Sequence, residues 1–259
     1  MRLRSLTKHI RDQNWFAVAL DFFIVVAGIL IAFQITNCNE ARKINGEAKE
    51  FTNQLKADLA EEAWVYESVI EYYGDVRDNA ARVVDALEGK SELSDQTLII
   101  AAYRATQYVP ILRRRETFDE LTATGRINLI GDEKLRRVAK SIYDFPLYET
   151  IERRGYGSKY REAFRMLIPS GVQTAVTNAC GDKFIEIMDF EAIIDSLDYA
   201  CSPEMSDEES EAAADILRTN ETVLPLLRLR LAELETTNRS LTIANRDIYE
   251  GVLQYRIPN

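Results

Sequence analysis

Residues 113–126 read "RRRETFDELTATGR" and gather Arg113, Arg114, Arg115 and Arg126 with Glu116, Asp119 and Glu120. Guanidinium forks match carboxylates or phosphates, and a helix starting after Glu116 would aim free N–H groups at an anion. Two readings follow. One is a salt-bridged corner between helices. The other is the mouth of a pocket in which Arg115, Glu116, Glu120 and Arg126 serve a small-ligand binder or a carboxylate/arginine enzyme. The three cysteines offer less. Cys180 and Cys201, 21 residues apart, could close a loop worth about 3 kcal/mol in an oxidising compartment; two free thiols are the alternative. No Cys-x-x-Cys or metal spacing occurs, and the acidic "SDEESE" at 206–211 lacks a calcium-loop pattern. No motif calls for a cofactor.

The only histidine is His9. Everything beyond it therefore lacks Ser-His-Asp or Cys-His catalysis and His-ligated zinc. Acid pairs, lysine or tyrosine chemistry and all-oxygen metal sites stay open. Charge narrows the partners. The 259 residues carry a net −10, and residues 36–259 hold 28 Lys/Arg against 40 Asp/Glu. Such a surface repels phosphate, which speaks against nucleic acid, and it would not lie flat on anionic lipid.

The elements that must position these groups are helical. Apolar residues make up 46% of the chain, while Gly and Pro together number only 17. From Leu55 to Leu87 apolar positions step by four and three, with Glu62 the one exception and Gly74 a local weakness. That is a heptad seam of the coiled-coil type. Leu224 to Tyr255 repeats the spacing, with Leu227, Leu231, Leu234 and Leu241 on the seam and Asn238 and Asn245 interrupting it. A seam Asn fixes register or partner number; a polar ligand site is the sharper alternative. Long first and last helices predict an antiparallel bundle, an all-α domain. Between them the capping residues predict helices over 95–109 (Ser94, stopped by Pro110), 117–125 (a Thr117/Glu120 capping box), 133–145 (Asp132), 147–168 bent at Gly155 and Gly157, and 207–219 (a Ser206/Glu209 box).

Ahead of the domain lies "FFIVVAGILIAFQIT", and no charge falls between Asp21 and Glu40. Trp15 to Ile35 matches the roughly 20 residues of a spanning helix, and the run has no polar stripe. The predicted order is a basic cytoplasmic tail at 1–14, a transmembrane helix at 15–36 and an extracytoplasmic domain at 37–259. Flanking basic residues favour the N-terminus inside by four to three. A cleaved signal peptide lacks an A-x-A site here, and a lipid-modified Cys38 is preceded by Asn37 rather than a small residue. Asp21 reads as an interfacial acid or a partner-helix contact. Gly28 and Ala32 form a small-xxx-small pair suited to close helix packing.

"DFFIVVAGILIAFQITNCNEARK" at 21–43 resembles the start of an uncharacterised bacterial family of single-span membrane proteins, which read acid, apolar run, G-I-L-I-A-L-Q-I-N-N-W-N-E. Cys38 stands where that family has Trp. "TFDELTATGRINLIGDEKLRRVAKSIYDF" at 117–145 resembles its second recurrent stretch. The resemblance implies architecture and location, a single pass through a bacterial inner membrane with a periplasmic domain, and no agreed activity. The functional expectation is a non-enzymatic, membrane-tethered interaction or sensor-like module. Its partners would be the lipid bilayer, an unidentified membrane or periplasmic protein, or a second copy of itself.

Overall fold

The computed structural model describes residues 15–256, with the side chain of Trp15 left out. The predicted basic tail, with His9, lies outside the described residues. The fold is all-α, and no strand forms among the described residues. Two compact units meet in sequence between Thr52 and Asn53.

Helix α1 runs from Trp15 to Leu87 without interruption. The predicted apolar helix and the predicted first bundle helix are therefore one element. No proline falls in this stretch, and Gly28, Gly46 and Gly74 are too widely spaced to stop a run of strong helix formers. It ends at Gly89 (φ +72°), where Lys90 N–H donates to the Asp85 carbonyl at 2.8 Å. This is the six-to-one closure that a left-handed glycine permits.

In the unit ending at Thr52, α1 carries Phe16, Phe22, Phe23, Leu30, Phe33 and Ile35 with their side chains exposed. This helix is long and apolar enough to cross a membrane. In the unit beginning at Asn53 the heptad positions from Leu55 to Val83, Glu62 included, are buried. Around them pack α2 (Asp95–Arg104), α3 (Glu116–Ala123), α4 (Glu133–Tyr143), α5 (Leu147–Tyr156), α6 (Lys159–Leu167) and α7 (Ser170–Cys180). After an irregular stretch come α8 (Asp207–Thr219), α9 (Val223–Arg239) and α10 (Arg246–Leu253). Arg228 pairs with Glu88 and Arg256 with Glu67, so the C-terminal arm runs antiparallel to α1.

Several local expectations are corrected. The helix from Asp95 stops at Arg104, not 109: Thr106 and Gln107 turn back to the Tyr103 carbonyl, and β-branched Val109 and Ile111 flank Pro110. The freed segment to Arg115 lies outside any helix. Thr117 makes no capping box. Arg115 is the cap residue of α3, and Thr117 instead faces the buried carboxyl of Asp58. The predicted helix over 147–168 is two, because Ser158 caps a fresh start by accepting from Arg161 N–H. The C-terminal arm is interrupted by a π turn at Ser240–Ala244. Asn245 answers the Ser240 carbonyl there, and the Tyr66 hydroxyl donates to the Leu241 carbonyl at 3.0 Å. The caps at Ser94, Asp132 and Ser206 form as the sequence predicts, Ser206 with its full box to Glu209.

Candidate functional site

Three features are built from the residues singled out by type. The first is a buried ionic cluster. Glu62, the one acid on the α1 seam, meets Arg113 from the segment ahead of α3. Nε lies 3.0 Å from one carboxylate oxygen and Nη2 3.4 Å from the other. Their side chains are only 1% and 6% exposed. Arg113 also donates to the Ile142 carbonyl at 2.8 Å and lies over the rings of Tyr143 and Tyr148. Burial pushes the Glu62 carboxyl up, while Arg113 pulls it back. Asp58, one turn earlier, is also raised by burial. The cluster is closed to solvent, so its chemistry is positional: it clamps α1 to α4 and α5 through one guanidinium.

The four residues expected at a pocket mouth lie on α3 or directly flank it. Arg115 forks onto Asp119 on its own helix. Glu116 and Glu120 are exposed. Arg126 follows Gly125 (φ +67°), and its N–H closes the end of α3 on the Leu121 carbonyl. Arg114 pairs with Glu61 at 3.2 Å. Sequence reasoning missed the Glu62–Arg113 pair, although an acid on an apolar seam is a signal that a cation must answer it.

The second feature is the loop after α7. A disulfide joins Cys180 to Cys201; Cys38 is free and exposed. Asp198 inside the loop accepts from Arg104 at 2.6 Å and from Arg82 at 3.0 Å, so α1 and α2 both hold it. The Asp198 N–H donates to Asp75. Burial pushes the Asp75 carboxyl up to about 6, with Asp198, Glu71 and Asp78 adding to the rise. The Tyr199 hydroxyl donates to the Gly181 carbonyl at 2.7 Å.

The third feature is a cavity of about 300 Å³. One face of α1 (Trp64, Val69, Tyr72), the segment 109–112 and the loop residues 182–196 enclose it. It lies beside the arginine stretch, not within it. Leu112 and Phe184 stand at its edge, 88% and 92% exposed. The Tyr72 hydroxyl donates to Asp182 at 2.9 Å, and Trp64 Nε1 donates to the Asp189 carbonyl. Of the residues expected in membrane packing, Asp21, Gly28 and Ala32 are all exposed on α1.

Compared with known protein families, with curated proteins and with solved structures, the chain matches none. The class that fold and geometry define is an all-α domain led by a long helix with an apolar, exposed first part.

Proposed function

We propose that the chain is a single-pass protein of a bacterial inner membrane, anchored through residues 15–36, whose helical domain is a non-enzymatic interaction or sensor-like module in the periplasm. The observation that carries this reading is the run of exposed apolar side chains from Phe16 to Ile35 on α1, ahead of a unit with a core of its own. Exposing that much apolar surface to water is strongly unfavourable, at about 25 cal/mol per Å², and hydrocarbon removes the cost. The Cys180–Cys201 disulfide supports an oxidising compartment for the domain. The resemblance of residues 21–43 and 117–145 to single-span membrane proteins agrees. The arginines of 113–115 support the non-enzymatic reading, because their partners Glu61, Glu62 and Asp119 use them as clamps. Gly28 and Ala32, one turn apart, suit self-association of the span.

The test is made in cells. In a Cys38→Ser background, Ser94→Cys is treated with a membrane-impermeant thiol reagent, and the same cells are crosslinked. Labelling from outside the inner membrane with a discrete heterologous crosslinked band is expected. Protection of Ser94→Cys until the membrane is permeabilised overturns the orientation, and recovery of the protein in the soluble fraction overturns the anchor.

A further inference from the structure

Helix α7 is uncharged, and its neighbours α6 and α8 carry opposite charges without partners. No charged residue falls between Arg165 and Asp182, although 29% of the chain is charged. Within that stretch α7 buries Val172, Val176 and Cys180 and leaves Ser170, Thr174, Thr177 and Asn178 exposed. On α6, Arg165 is exposed and borders a recess of about 280 Å³ with Gln173, Thr174 and Asn178 of α7. Arg161, one turn earlier, sets its guanidinium 4.8 Å from the Tyr108 ring centroid and donates to the Thr106 carbonyl at 3.3 Å. Glu162, between them, pairs with Lys159 instead, and neither arginine has a carboxylate at ion-pair distance among the described residues. Like charges four apart on a helix are destabilising, yet these two stand so in a chain with 42 acids. Helix α8 packs against α7, and Cys201, bridged to the last residue of α7, leads into its acidic start. Glu204, Asp207, Glu208 and Glu211 are exposed there, and none has a cation at ion-pair distance among the described residues. Glu209 is held by the Ser206 cap.

A charge-depleted centre edged by arginine, methionine and aromatic residues is the compositional mark of a protein interface. Met166, next to Arg165, is 72% exposed, and Tyr156, edge-on to Tyr108 at 5.7 Å, is 70% exposed. The occupant must bring acids to Arg161 and Arg165 and cations to Glu208 and Glu211. An acidic protein would leave the acids of α8 facing like charge, and a basic one would do the same to the arginines of α6. A second copy of this chain answers both. A twofold axis running along α7 sets α6 of each copy against α8 of the other, so every pair forms twice. We propose that the helical domain dimerises through α7, with Arg161 and Arg165 of one copy on Glu208 and Glu211 of the second. The proposal rests on the reading of the domain as an interaction module and names its partner; it is independent of the side of the membrane that the domain occupies.

The test places a reporter on the axis. Two full-length copies with different tags, each Cys38→Ser/Thr174→Cys, are co-expressed, and their detergent-solubilised membranes are treated with a short bis-maleimide. A crosslinked band carrying both tags is expected at low salt and should weaken severalfold at about 0.5 M salt, where exposed charges are screened. Arg165→Glu in both copies, or Glu208→Lys/Glu211→Lys in both, should lower the yield about tenfold, because each contact then sets like charges together. One copy of each kind restores opposite charges on both sides of the axis, and the yield should return to that of the parent. Absence of the band in the parent overturns the interface. So does a yield indifferent to salt and to both reversals, which is what association through the span alone would give. Loss in both reversed chains without recovery in the mixed pair overturns the pairing of α6 with α8. Should circular dichroism show that a reversed chain does not fold, the salt dependence of the parent band decides alone. None of these outcomes uses labelling from outside the membrane, so failure here leaves the proposed anchor and orientation standing.

Discussion

Arg113 and Glu62 form a forked ion pair 51 residues apart in sequence, with both side chains withdrawn from water. Arg113 is the cation at ion-pair distance from Glu62, and Arg115 acts on it only through the longer-range field, so the two are interdependent. Arg113→Ala leaves a buried carboxylate alone and is expected to cost about 3–5 kcal/mol. Urea unfolding of the full chain, followed by circular dichroism, measures it. The double change Glu62→Leu/Arg113→Met removes both charges and should recover most of the loss. A double variant as unstable as Arg113→Ala would show that the Ile142 carbonyl and tyrosine contacts, not the charge pair, hold the clamp.

The all-α class was legible because the heptad spacing of Leu55 to Val83 reports burial directly, and those positions are buried. The caps at Ser94, Asp132 and Ser206 were legible because capping is local. Arg230 was not. In "LRLRLAELE" leucine and arginine alternate, so two helix registers look alike, and the structure buries Arg230 where the sequence spacing places Leu231. Its guanidinium donates to the Ala105 and Gln107 carbonyls, satisfying the end of α2. The Glu62–Arg113 pair left a trace at Glu62 only. The cavity left none, since two of its three walls are irregular segments whose positions depend on a disulfide and on Asp198.

Reduction of that disulfide should act on the loop first. In denaturant without reductant, a thiol count is expected to give one reactive group, Cys38, and after reduction all three cysteines. Cys180→Ser/Cys201→Ser should cost about 3 kcal/mol and raise hydrogen exchange across 181–200 more than across α9. Three reactive thiols before reduction would show that the bridge does not form.

Two glycines should respond oppositely to alanine. A Cβ on Gly155 would sit 2.6 Å from Tyr108 Cβ and 3.2 Å from the Tyr73 hydroxyl. Gly155→Ala is therefore expected to destabilise by about 1–3 kcal/mol through overpacking. Gly74, inside α1, has nothing within 4 Å of that position. Gly74→Ala should stabilise by about 0.5–1 kcal/mol by lowering the entropy of the unfolded chain. Midpoints of thermal unfolding for the two variants should move in opposite directions; a shared sign would refute the assigned packing.

Asp75 predicts a pH dependence with a definite sign. Its carboxyl rises from 3.8 to about 6 in the folded protein, with burial the largest cause. Between these values the folded state keeps a proton that the unfolded chain has released. The associated stability is complete below about pH 4 and is lost as pH rises through 6. Solvent screening of this partly buried group holds the effect to on the order of 1 kcal/mol. Burial raises Glu62 and Asp182 in the same direction, so the full chain should be more stable at pH 5 than at pH 8. Asp75→Asn keeps an oxygen to accept from the Asp198 N–H and cannot ionise. Its stability should match the parent near pH 4, exceed it at pH 8, and show a shallower slope between. Parallel curves for parent and variant across that range would place the titrating group elsewhere.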